Sequence, residues 1–147
     1  MCDKRLIKYR RASMKDLQNI RKFVDFWLSG RAMNKGIKNA GNDYFVSIGQ
    51  QKSYLKNCIV LLAHYKNKIV GWAVKERTNV LIHLLVAADC RGMGIGKEMM
   101  SQLKPDIIRS KSDQQTGDPA PFYEMLGYKR ISDVKVGKKK NIEFMSK

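Results

Sequence analysis

The spacing of apolar and polar positions changes several times along the chain, and each change marks an element. Arg5 to Arg10 reads as a first strand. From Ser13 onward Leu17, Ile20, Phe23, Val24, Trp27 and Leu28 recur every three or four residues, which predicts an amphipathic helix. Ser13 is placed to cap that helix with Asp16 in its first turn, and Gly30 to stop it. Residues 30–53 hold four glycines (Gly30, Gly36, Gly41, Gly49) and three asparagines, a pattern of loop or broken helix. Three strands follow. Cys58 to Tyr65 is apolar and partly β-branched, Lys66-Asn67-Lys68 makes a tight turn, and Ile69 to Arg77 returns with Gly71 as a bulge or a point of close approach. After a turn at Thr78-Asn79, Val80 to Ala88 is apolar on both faces, as a central strand is.

Helical spacing resumes with Ile95, Met99, Met100 and Leu103, and Pro105 ends it. Asp106 to Lys111 reads as a short strand, and Pro121 to Leu126 as a helix stopped by Gly127. Tyr128 to Val136 and Asn141 to Met145 are two last strands around Gly137-Lys138-Lys139-Lys140. No repeat, linker or low-complexity tract interrupts this order, so a single domain over residues 1–147 is expected.

Composition narrows the class. At 44% hydrophobic and 29% charged residues the chain reads as globular. The run from Val80 to Ala88 is too short to span a bilayer, and the N-terminus has no apolar segment behind its charges, so a cytoplasmic protein with no membrane partner is expected. Cys2, Cys58 and Cys90 are odd in number and widely spaced, which argues against a disulfide framework. With only His64 and His83 beside them, they also argue against a metal site. Twenty-nine Lys and Arg against thirteen Asp and Glu leave a formal charge of +16. A field of that size attracts polyanions, so nucleic acid or an anionic substrate stands beside general solubility as its reason. The basic clusters are Lys4-Arg5, Lys8 to Arg11 and Lys138 to Lys140; each alone reads as a strand end or hairpin tip, though together they could form one face.

The strongest chemical signal is the run from Leu84 through Arg91-Gly92-Met93-Gly94-Ile95-Gly96 to Met100: a central strand, a glycine-rich loop and the start of a helix. Glycines let backbone approach a pyrophosphate, and a helix N-terminus presents unpaired N–H groups to it. Rossmann and P-loop sites share this logic, but the Lys-Ser/Thr pair of a P-loop and a suitably placed ribose-binding acid are both missing.

Arg91-x-x-Gly94-x-Gly96 resembles the acetyl-CoA signature of the GCN5-related N-acetyltransferases, and Pro121-Phe122-Tyr123-Glu124-Met125-Leu126-Gly127-Tyr128 resembles the same family's second motif. The two lie in the family's order with one strand between them. The resemblance covers residues 58–136 well, and the N-terminal third by element order alone. It implies an α+β fold, an α/β/α sandwich around a mixed, mostly antiparallel sheet of about six to seven strands, with a splayed pair at the acetyl-CoA site. It implies acetyl-CoA as cofactor and transfer of its acetyl group to an amine by direct attack in a ternary complex. The amides of Arg91, Gly92, Met93, Gly94, Ile95 and Gly96 would hold the pyrophosphate with Lys97 nearby. Leu85, Val86 and Ala87 would present amides to the pantetheine arm and the acyl carbonyl, and Phe122 belongs to the cofactor-binding set. Tyr123 stands where the family's general acid protonates the departing thiolate; packing its helix onto the sheet is the plainer role.

The general base stays open among Glu76 at a strand end, Asp113 beyond the strand at 106–111, and His83, which a core position would equally explain. Where many relatives carry an asparagine toward the pantetheine arm, this chain offers Thr116 or Asp118. The polar segment from Arg109 to Pro119 reads as the rim of the acceptor cleft, or as a capping loop before Pro119. Two other functions stay in view: the same fold acting on nucleic acid (aminoacyl-tRNA, tRNA or DNA), which the +16 charge favours, and a CoA-binding protein without catalysis. Either a monomer or a homodimer fits.

Overall fold

The computed structural model describes residues 3–28, 46–113, 120–136 and 140–147. Its elements are β1 (Ile7–Arg11), α1 (Leu17–Leu28), α2 (Ile48–Asn57), β2 (Ile59–Tyr65), β3 (Lys68–Lys75), β4 (Val80–Val86), α3 (Ile95–Leu103), β5 (Ile107–Asp113), α4 (Ala120–Met125), β6 (Lys129–Val136) and β7 (Lys140–Ser146). The strands form one sheet in the order β1-β2-β3-β4-β5-β7-β6. Every neighbouring pair is antiparallel except β4 and β5, which run parallel. This is the mixed, mostly antiparallel sheet that the resemblance implied.

Local chemistry explains the joints. Lys66 and Asn67 both take positive φ (48° and 65°), the two-residue turn whose twist matches a hairpin. Asp16 organises the start of α1: it accepts from the Ser13 N–H at 2.8 Å, while Arg10 grips both carboxylate oxygens at 2.6 and 3.0 Å. The first turn there, Met14–Asp16, is 3-10 and passes directly into α1.

Alternation along β3 divides the core in two. Gly71 faces α3, where an added Cβ would stand 2.9 Å from Met99 Sδ and 3.1 Å from both Ile95 Cγ2 and Ala63 Cβ. This is the close approach anticipated at Gly71. Trp72, on the opposite face, is fully buried with Leu62 and Val74. No helix of the described residues is long and apolar enough to cross a membrane.

Three expectations change. The stretch read as loop or broken helix ends in a regular helix, α2, capped by Ser47 Oγ accepting from Gln50 N–H at 3.1 Å. Its buried positions are Gln51 and Tyr54, so the helix buries an amide where the eye looks for an aliphatic residue; residues 29–45 lie outside the described ones. Second, Cys58 is a free thiol, but Cys90 is disulfide-bonded. Third, the strand expected from Arg5 begins at Ile7, after a 3-10 turn over Lys4–Leu6. Of the basic clusters, Lys8, Arg10 and Arg11 stand exposed on β1 at one edge of the sheet, and Lys138 and Lys139 lie outside the described residues.

Candidate active site

The parallel pair β4 and β5 is joined only at Val80–Ile107 and Leu81–Ile108. Beyond Leu81 the strands part, while β4 stays paired with β3 as far as Gly71–Val86. The Ala87 N–H donates to Val70 O at 2.9 Å, so it is already used. Antiparallel alternation then turns Leu85 toward β3 as well and aims the Val86 N–H and C=O into the gap. Of the three residues expected to present amides, Val86 is the one whose backbone is open.

At the end of β4 the chain makes a 3-10 turn over Ala88–Cys90 and enters the glycine loop. Gly92 and Gly94 take φ of 83° and 75°, in the left-handed region that costs a side-chain-bearing residue energy. Gly94 is the N-cap of α3 and offers no capping side chain. The first intrahelical bond runs from Glu98 N–H to Gly94 O, so the amides of Ile95, Gly96 and Lys97 have no acceptor within the helix. Three open donors, a positive dipole end and no Cβ in front of them suit a pyrophosphate. Arg91 and Lys97 are exposed beside them. Lys4 also reaches this place: its Nζ stands 4.0 Å from where a Gly94 Cβ would be. Phe122 of α4 points the tip of its ring at Gly96, with Cζ 3.1 Å from a Cβ placed there.

Tyr123 is buried at 5% exposure, its ring edge-on to Phe122. Desolvation pushes its phenol far above the ordinary value, and the nearby Tyr128 adds to the shift. Its backbone carbonyl accepts from Leu126 and Tyr128, closing the end of α4.

The opposite face of the sheet carries side chains rather than amides. His83 of β4 stacks on Trp72 (centroids 4.8 Å apart, planes 25° apart), and its Nε2 lies 3.0 Å from Tyr54 Oη of α2. Arg109 joins the same face. Lys75, level with Leu81, sends Nζ to Leu103 O at 2.6 Å, so Leu81 and its neighbour Ile108 lie on the α3 side and Arg109 turns the other way. Burial raises the Tyr54 pKa, with a Gln50 hydrogen bond and the Arg109 charge acting against it.

The candidate bases therefore separate. His83 stands just past the last β4–β5 pair, where the gap opens. Glu76 is at the far end of β4, its N–H bonded to Val80 O in the β3–β4 turn. Asp113 ends β5 opposite Lys140, with only its backbone described. Thr116 lies outside the described residues. Sequence reasoning missed Lys4, Tyr54, Gln51 and Trp72 at this site. Helical spacing in α2 could have raised Tyr54, but nothing local ties Lys4 to a loop some ninety residues away.

A sheet splayed beside a glycine-capped helix thus leaves backbone donors open at the gap. The acetyltransferase (GNAT) domain family matches residues 34–146, more than three quarters of the chain, and the chain belongs to that family. The family uses acetyl-CoA. No curated protein matches it in sequence. Solved structures resemble it throughout. A GCN5-related N-acetyltransferase from Rhodopseudomonas palustris superposes with a TM-score of 0.71 at 14% identity, covering 100% of this chain and 97% of that one. A ribosomal-protein-alanine N-acetyltransferase from Brucella melitensis gives 0.63 at 20% identity, covering 95% and 98%. A putative acetyltransferase from Salmonella typhimurium, solved with its cofactor acetyl-CoA, gives 0.65 at 16%, covering 95% and 92%. At these identities the likeness is one of fold.

Proposed function

We propose that the chain is an acetyl-CoA-dependent N-acetyltransferase that delivers the acetyl group directly to an amine bound on the α1–α2 face. The observation that carries this reading is the strand β4, parted from β5 beyond Leu81 and leading through the glycine loop into a helix whose glycine cap leaves three amides open. Acetyl-CoA supplies an activated thioester. The amides of Ile95, Gly96 and Lys97 hold its pyrophosphate, with Arg91, Lys97 and Lys4 adding charge. The Val86 N–H faces the gap and is placed to donate to the acyl carbonyl oxygen as negative charge gathers there.

On the acceptor side His83 takes a proton from the bound ammonium at one ring nitrogen, so that the neutral amine attacks, while the other nitrogen keeps the imidazole oriented. Its place at the mouth of the splay recommends it over Glu76, which sits in a turn at the other end of β4. Tyr123 stays protonated at neutral pH because burial disfavours its phenolate. A phenol so held donates a hydrogen bond to a developing thiolate.

The test is thiol release from acetyl-CoA with a panel of amines, for wild type, His83→Gln and Tyr123→Phe. Turnover with wild type, and a loss in kcat of about 10- to 100-fold in each variant without a change in melting temperature, is the expected result. Unchanged kcat in Tyr123→Phe would leave that residue with packing alone. Absence of turnover with every amine, despite bound acetyl-CoA, would leave a CoA-binding protein. A second reading, action on tRNA or DNA, is favoured by the +16 charge; it predicts binding that weakens steeply with salt.

A further inference from the structure

The acceptor face holds more polar chemistry than proton transfer needs. Arg109 is half-buried on β5, and no carboxylate of the described residues pairs with it. A guanidinium cannot shed its charge, so one held partly out of water without an anion is poised to receive one. Gln51 lies one turn before Tyr54 on the buried face of α2, and at 1% exposure neither its Oε1 nor its Nε2 has a hydrogen-bond partner. Trp72, whose ring carries the His83 imidazole, is fully buried with its Nε1–H unpaired. Such orphans are rare in a finished core, and each costs stability unless something polar meets it. All of them belong to residues on the same sheet face as His83 or on the helix that covers it.

We infer that the acceptor is a small amine that also carries a carboxylate, with Arg109 binding the carboxylate while the amino group faces His83. The assignment rests on the transfer reading above for the identity of the face. The scale fits. Leu81 and Ile108 are level across the parallel pair, so Arg109 and His83 are offset by about one residue on neighbouring strands, with backbones ~6 Å or more apart where the pair parts. A fork of five donors reaches a carboxylate bidentately, and an amine one to three carbons away then lies within reach of the imidazole. An acceptor of this kind carries its own anion, in keeping with a strongly basic chain.

Calorimetric titration of the protein, with and without CoA, is the experiment. The probes are the common L-amino acids, β-alanine and 4-aminobutyrate, each beside its carboxamide, with O-phosphoethanolamine as a phosphate control. At least one carboxylate probe should bind and its carboxamide should not. Arg109→Gln should weaken that binding about 30-fold or more, and Arg109→Lys should recover part of it, with CoA affinity and melting temperature unchanged in both. Equal binding of acid and amide, binding indifferent to Arg109, preference for the phosphate control, or no binding of any carboxylate at millimolar concentration would each overturn the inference. The titration needs no turnover. A chain that binds carboxylates through Arg109 but transfers no acetyl group defeats the transfer reading alone; transfer to plain amines, unaffected by Arg109→Gln, defeats this inference alone.

Discussion

The two faces that meet at the splay are built from different materials. The side proposed for the cofactor is backbone: open amides at the start of α3, the free edge of β4 at Val86, and glycines that keep side chains out of the way. The side proposed for the acceptor is side chains gathered from three elements: Tyr54 on α2, His83 on β4 and Arg109 on β5. A backbone site must be written as a short local run, because adjacent amides come only from adjacent residues. A side-chain site can be assembled from anywhere the fold brings together. Substitutions should therefore separate by face, cofactor-side changes altering CoA affinity and acceptor-side changes altering amine use.

The largest effect is expected at Gly94. Gly94→Glu places a side chain and a negative charge at a cap with φ of 75°, in front of the open amides. CoA affinity by calorimetry should fall more than about 100-fold. If it binds normally, the cofactor side is not where the amides point. Next is the seat of α3. Gly71→Val drives new carbons into Met99, Ile95 and Ala63, and chemical denaturation should show a loss of about 2–3 kcal/mol.

Asp16 tests the acceptor side at its root, since it anchors the start of α1. Hydrogen bonds from Arg10 hold its carboxyl below the ordinary value; burial opposes them and the Ser13 N–H adds to them. A depressed folded pKa means that the stabilisation is present above the unfolded value and disappears as pH falls through the folded one. Asp16→Asn should cost about 1.5–3 kcal/mol at neutral pH. The gap in melting temperature from wild type should begin to narrow below about pH 4 and close once the pH has fallen past the lower folded value. A gap that persists in acid would locate the effect in packing.

Smaller changes sharpen the division. Tyr54→Phe removes the hydroxyl 3.0 Å from His83 Nε2. It should lower kcat/KM for the amine about tenfold, with the KM for acetyl-CoA unmoved. Lys4→Ala withdraws one exposed cation from the loop, and CoA affinity should fall about threefold at low salt and less at high salt. An equal effect at both salt concentrations would mean that Lys4 acts on the shape of the loop rather than through its charge.

The same contrast explains what was legible. The hairpin at Lys66-Asn67, the central strand from Val80, the glycine-capped helix and the closing strands all follow from patterns within a few residues, and the fold agrees with them, though the central strand stops at Val86 rather than Ala88. Helix α2 was obscured because its buried side holds Gln51 and Tyr54, so no apolar stripe announced it. Among Glu76, Asp113 and His83 the sequence could not choose, since two are titratable residues near strand ends and the third lies within an apolar strand where a core role would equally explain it.

By itself, then, the sequence determined the family and the glycine loop proposed to hold the cofactor, because phosphate recognition by backbone needs glycines at fixed, short spacing. Only the tertiary structure decided which amide of β4 is free, that His83 stands at the opening, and that Tyr54 and Arg109 share its face. Those facts depend on where β4 and β5 part and on which way each strand's side chains turn. Pairing between strands far apart in sequence settles both, and no local run of residues records it.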